Sequence, residues 1–97
     1  MTELTELTDL TGSLPKLAPH VRLRFDATRN QSVLLGPESV AVLNKTSADI
    51  LELCDGRRTL TEIVAELRSR YDRVADDEVR AFVDRMAARH YVEITDG

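Results

Sequence analysis

Val21-Arg22-Leu23-Arg24-Phe25-Asp26 alternates apolar and charged side chains without a break, the period-two pattern of a strand with one dry face and one wet face. Working outward from it, the polar stretch Ala27 to Gln31 separates this strand from a second apolar run, Ser32 to Leu35. Gly36-Pro37-Glu38 then supplies a reversal into a third strand, Ser39 to Leu43. Three strands joined in this order predict an antiparallel meander with two open edges.

Past Asn44 the period lengthens, and Leu43, Ser47, Ile50, Leu51 and Cys54 fall on one face of a first helix, with Gly56 expected as its left-handed cap. Thr59 and Glu62 have the spacing of a capping box ahead of Leu60, Ile63, Val64, Leu67 and Tyr71, which spells a second helix. In the third, Val79, Phe82, Val83 and Met86 form the apolar stripe. Asp76, Asp77 and Glu78 stand at its start and Arg85 and Arg89 near its end, the order that suits the helix dipole. Tyr91 to Ile94 is a candidate short terminal strand. The expected fold class is α+β: a three-stranded antiparallel sheet followed by a three-helix bundle covering one of its faces.

The N-terminus reads differently. Residues 1–14 carry a T-E-L repeat with Leu4, Leu7 and Leu10 spaced by three, which fits one face of a short helix. Thr is a weak helix former, however, and Gly12 and Pro15 interrupt the pattern, so residues 1–14 are expected to be a flexible leader or linker remnant and residues 15–97 the domain.

Composition narrows the function classes. A chain of 97 residues has room for a shallow groove but little for the deep pocket of roughly 300 Å³ or more that small-molecule chemistry usually needs. Seventeen acidic residues against thirteen basic ones give a net charge of −4, whereas nucleic-acid binding calls for a clustered basic surface. The lone Cys54 excludes an internal disulfide, and neither His20 nor His90 has metal-ligand company nearby in sequence. No secretory signal or membrane-length apolar run is apparent, so a cytoplasmic chain that engages neither membrane nor nucleic acid is expected.

No residue pattern asks for catalysis. The carboxylates are scattered along strand exteriors, helix starts and loops as solvated faces usually are, and no Gly-rich loop joins a strand to a helix. Cys54 falls on the core face of the first helix and reads as packing; His90 closes the third helix and reads as a cap. A helix-turn-helix reading would put Arg57 and Arg58 near phosphates, but the acidic start of the third helix argues against a DNA groove. The feature with positive content is the sheet edge. Were Ser39 to Leu43 an edge strand, its unpaired backbone would offer a template for an added strand, with Phe82 and Met86 walling a groove. Taken alone, Phe82 and Met86 read better as core, with the edge short enough to be harmless.

A further signal lies in Leu35-Gly36-Pro37-Glu38, Leu43-Asn44, Ile50-Leu51, Leu53, Asp55-Gly56, Arg58-Thr59, Ile63, Leu67, Tyr71, Val79 and Phe82-Val83. From about Pro15 to Ile94 this string resembles the PqqD family, the peptide chaperones of pyrroloquinoline quinone (PQQ) biosynthesis. The resemblance implies a winged-helix-like recognition domain without catalysis or cofactor of its own. It also implies two partners, the precursor peptide PqqA and the radical S-adenosylmethionine enzyme PqqE, and in some relatives fusion to an upstream PqqC domain. Carried onto this chain, the family's groove falls between the third strand and third helix, at Val40, Ala41, Val42, Leu43, Val79, Phe82, Val83 and Met86, with Arg85 and Arg89 as partners for acidic peptide side chains. The family often has Gly after the third helix, where this chain has His90. The rival expectations are a leader-binding module of another modified-peptide pathway, a small winged-helix DNA-binding regulator, and a strand- or helix-swapped dimer in place of a monomer.

Overall fold

The computed structural model describes residues 12–96. In chain order the elements are β1 (Ser13–Leu17), β2 (Arg22–Asp26), β3 (Gln31–Leu35), β4 (Val40–Leu43), α1 (Lys45–Glu52), α2 (Leu60–Arg70), α3 (Asp76–Ala88) and β5 (Val92–Asp96). The expected meander is present as a three-stranded antiparallel sheet in the order β2-β3-β4. Its fold class is α+β and winged-helix-like, as the sequence predicts.

The turns follow from local chemistry. Between β2 and β3, the carboxylate of Asp26 accepts from the amides of Thr28 and Arg29, and Asn30 takes φ +54°, a left-handed geometry its short polar side chain tolerates. Between β3 and β4, Gly36 N–H donates to Ser39 C=O at 2.9 Å, leaving Pro37 and Glu38 as the two-residue loop. Asn44 caps α1 by accepting from the Ser47 amide at 2.7 Å. At α2 both arms of the capping box form: Glu62 N–H to Thr59 Oγ1 at 3.2 Å and Thr59 N–H to Glu62 Oε1 at 2.8 Å.

Three expectations need correction. Ser13 and Leu14, read as leader, are the first residues of β1, which pairs antiparallel with β5 in a second sheet, Ser13 opposite Asp96 and Leu17 opposite Val92. The rest of the leader reading, with Leu4, Leu7 and Leu10, falls on residues 1–11, outside the described residues. The order is therefore four strands, three helices and a fifth strand, the terminal strand running Val92–Asp96 rather than Tyr91–Ile94. Finally, α1 ends at Glu52 with Leu53 as its cap. Gly56 is indeed left-handed, at φ +80°, but serves a different contact: its N–H donates to Pro15 C=O at 2.9 Å. A Cβ there would lie 3.0 Å from the Lys16 side chain and would have to be held at a left-handed φ, so glycine suits the close approach of β1.

β1 is held on both sides, by β5 and by the segment after α1, where Leu17 N–H reaches Cys54 C=O and Lys16 bridges Asp55. Pro15 fits because its missing N–H is on the side away from the β5 ladder. The core runs continuously from Leu34 on β3 through Ile50, Leu51, Ile63 and Leu67 to Val79, Val83 and Val92. Of the three helices, α1 packs on one face of the β2-β3-β4 sheet, while α2 lies against β1 and α3 against β5.

Candidate functional site

Among the described residues β4 pairs only with β3, Ser32 facing Leu43 and Leu35 facing Val40, and is an edge of its sheet. The Gly36–Ser39 hydrogen bond sets the phase of the ladder. Because hydrogen-bonded and non-hydrogen-bonded pairs alternate, Ala41 and Leu43 exchange bonds with β3, while the N–H and C=O of Val40 and Val42 point to the open side. Four backbone groups thus line this edge. The same phase turns Leu23 and Phe25 of β2 outward on the opposite edge.

The two edges differ in what lies beside them. β4 leads through Asn44 into a cleft of about 480 Å³ between α1 and α3, with Ser47 and Ile50 on one wall, Val79, Phe82 and Arg85 on the other, and Tyr71 and Val74 at its floor or rim. The Arg85 guanidinium lies 5.9 Å from the centre of the Phe82 ring, a cation–π distance that fixes both side chains on this wall. Beside β2, a second cleft joins Leu23, Phe25 and Leu43 to Lys45 and Glu52, and Phe25 is 61% exposed there.

The expected groove residues are partly brought together. Val79, Phe82 and Arg85 share the α1–α3 cleft. Val40 and Val42 contribute backbone to the edge, but their side chains point to the other face of the sheet and are 67% and 64% exposed. Ala41 and Leu43 pack against the core. Val83, 1% exposed, lies within that core; Val79 is also largely buried, at 4%. Met86 is half-buried and Arg89 is exposed at the cap of α3, and neither lines the cleft. The sequence reading missed the contribution of α1 and of the α2–α3 connection. Asn44, Ser47, Ile50 and Tyr71 stand in that reading as a boundary and as helix faces, not as lining of a cleft.

Several other titratable groups serve structure. Burial, and secondarily Asp55, pushes the Cys54 thiol up to about 12, and its S–H donates to Ile50 C=O at 3.3 Å, so it is protonated and inert at neutral pH. The Asp55 carboxyl is held below its ordinary value by the Arg57 amide and by Arg58, whose side chain reaches it at 2.9 Å. Arg68 pairs with Asp76, and Arg70 lies near Asp49, Glu52 and Glu66. Of Arg57 and Arg58, which a DNA-binding reading needs, Arg58 is thus engaged with a carboxylate. Among the described residues no group of three or more His, Cys, Asp or Glu side chains is arranged to hold a metal ion, and no helix is long and apolar enough to cross a membrane.

An edge strand that leads through Asn44 into a cleft lined by Ile50, Val79 and Phe82 together with polar side chains, on a winged-helix-like α+β domain, places this chain in the class of small recognition domains by its architecture. It belongs to the PqqD family: the family model described as "Coenzyme PQQ synthesis protein D (PqqD)" matches residues 31–92. A relative in Pseudomonas aeruginosa, named PqqA binding protein, is 37% identical over 84 residues, which cover 84% of this chain and 91% of the relative. The bifunctional coenzyme PQQ synthesis protein C/D of Methylorubrum extorquens is 44% identical over 68 residues, 69% of this chain and 18% of that one. Among solved structures, the PqqD portion of Methylobacterium extorquens PqqCD, described as a functional and stand-alone recognition element for ribosomally synthesised and modified peptides, superposes with a TM-score of 0.66 at 35% identity. That match covers 91% of this chain and 98% of the other. The heterocyclase TruD, at 20% identity and TM-score 0.64 over 86% of this chain and 12% of its own, shares the fold.

Proposed function

We propose that this chain is a non-catalytic peptide chaperone of PQQ biosynthesis, which binds a PqqA-type precursor by adding it as a strand to β4 and presents it to the radical S-adenosylmethionine enzyme PqqE. The observation that carries the reading is the β4 edge, with the N–H and C=O of Val40 and Val42 directed outward on the strand that leads through Asn44 into the cleft of Phe82 and Arg85. Family membership and the naming of relatives as PqqA binding proteins support the choice of peptide.

A guest strand there has its backbone satisfied by β4, while every second side chain enters the α1–α3 cleft. Val79 and Phe82 take apolar residues, and Arg85 takes an acidic one. Arg89, exposed one turn further on, takes a second acid only if the peptide extends beyond the cleft. Four hydrogen bonds at about 1 kcal/mol each, with burial of a few apolar side chains and less a few kcal/mol for ordering the peptide, give an affinity around micromolar. That strength suits a carrier, which must release its cargo. The chemistry, and the cofactors it needs, belong to the partner; this chain acts in the cytoplasm, alone or joined to a PqqC domain.

The test is a titration of the isotopically labelled chain with synthetic precursor peptide, followed by amide chemical shifts. Shifts are expected at Val40–Asn44 and along Val79–Arg85. Shifts at Leu23 and Phe25 instead would move the guest to the β2 edge, and no shifts at high micromolar peptide would overturn the reading.

A further inference from the structure

The face of the β2-β3-β4 sheet turned away from the helices carries two cross-strand rows. One reads Arg22, Leu35, Val40 and the other Arg24, Val33, Val42, since residues directly opposite in an antiparallel ladder project to the same side. Both rows therefore begin with a cation on β2 and end with an exposed valine on β4. Val40 and Val42 are the most exposed large aliphatic side chains of the described residues, and Val33 and Leu35 between them are half-exposed. Nothing among the described residues covers this face, because α1 packs on the opposite one, against Leu34, Ala41 and Leu43. A contiguous aliphatic strip on a small chain marks an interaction surface.

We propose that this face docks the enzyme that modifies the bound peptide, through a surface of that enzyme with an apolar centre and carboxylates on the side that meets Arg22 and Arg24. The proposal rests on the peptide-carrier reading. A guest strand on β4 extends the sheet, so those of its side chains that do not enter the cleft emerge on this face beside Val40 and Val42. The helix side of the guest is enclosed by the cleft; an enzyme needing its side chains approaches from the open side.

A second copy of the chain fits the face poorly. Stacking two such faces about a two-fold axis parallel to the strands lays Arg22 and Arg24 over the partner's valine strip. An axis across the strands lays arginine over arginine. Either arrangement buries cations without counter-charges, whereas an acidic rim satisfies them.

The test uses the full chain, synthetic precursor peptide and the radical S-adenosylmethionine enzyme of the proposed pathway, with two variants, Val33→Lys and Arg24→Glu. Arg24 lies on β2, two strands away from the β4 edge and outside the α1–α3 cleft, so peptide affinity in Arg24→Glu is expected to stay within about twofold. Val33 faces Val42 across the ladder, and its variant is compared at measured peptide saturation. Affinity of the peptide-loaded chain for the enzyme is expected to fall roughly tenfold or more in each variant, and its dependence on salt to flatten in Arg24→Glu. Arg24→Glu changes an exposed side chain and keeps the test decisive should Val33→Lys fold badly. Unchanged enzyme affinity in Arg24→Glu, or a wild-type chain that takes peptide but not enzyme, overturns the docking proposal. So does concentration-dependent self-association of the wild type that Val33→Lys abolishes, since the face then belongs to a second copy. A wild-type chain that takes no peptide at all overturns the carrier reading itself, and the docking proposal with it.

Discussion

His90 holds φ +65° immediately after the cap of α3, a conformation that costs an L-residue about 1–2 kcal/mol. It is held there by a complete Schellman pattern, Tyr91 N–H to Met86 C=O at 2.9 Å and His90 N–H to Ala87 C=O at 3.0 Å. A left-handed turn thus forms here without glycine. His90→Gly is expected to stabilise the domain by about 0.5–1 kcal/mol after allowing for the extra freedom of glycine in the unfolded chain, raising Tm by roughly 3–6 °C in a thermal melt. Peptide affinity should not change. Cys54 supplies a second prediction at this scale. Its thiol is pushed from 9.0 up to about 12, so the folded state holds a proton that the unfolded state releases above pH 9. Stability from this source is complete below pH 9 and declines as pH rises toward 12. An aromatic disulfide reagent should therefore label Cys54 only after denaturant is added, and a Cys54→Ala variant, though less stable at neutral pH, should lose its share of the alkaline decline.

Among the elements, those that declare themselves locally were readable and those defined by a distant partner were not. The alternation in Arg22–Asp26, the Gly36-Pro37 turn and the Thr59–Glu62 box each specify structure within a few residues. β1 has no such signature: Ser13-Leu14-Pro15-Lys16-Leu17 looks like a broken linker until β5 and the Cys54–Gly56 segment are laid against it. The candidate site divides in the same way. The apolar stripe of α3 was plain from its spacing, but which members reach the surface depends on how α3 packs, and Val83 is inside while Phe82 lines the cleft. At β4 the alternation of the ladder makes a directional prediction. Val42→Pro removes an amide that faces the open edge, a position where proline is tolerated. Peptide affinity should fall about tenfold, the equivalent of one hydrogen bond of ~1.4 kcal/mol, with little change in melting temperature. Ala41→Pro, one residue earlier, removes a bond to β3 and should instead destabilise the fold. Calorimetric titration and thermal melts of the two variants separate binding from folding; equal behaviour of the pair would mean that the phase of the ladder is wrong.

For the whole molecule the decisive element is β1, which begins 18 residues before the first residue matched by the family model. It joins the N-terminal part of the chain to β5 at the other end, and it contacts α2 and the segment after α1 on the way. Pro15 and Ala18 are almost fully enclosed and Leu17 packs against the core. Burial of aliphatic side chains at about 1–3 kcal/mol each, with the hydrogen bonds of a five-residue ladder, makes β1 worth several kcal/mol. A domain this small has a total stability on the order of 5 kcal/mol, so the loss of β1 is comparable to the whole. A chain starting at Gly12 is accordingly expected to melt within a few degrees of the full chain. A chain starting at Ala18 should show no cooperative transition, although its three-stranded sheet, its helices and every residue of the candidate site are still encoded. Thermal melts of the two truncations make the comparison. A cooperative transition in the shorter one near that of the full chain would mean that the β2-β3-β4 sheet and the helices sustain the core without the β1–β5 pair.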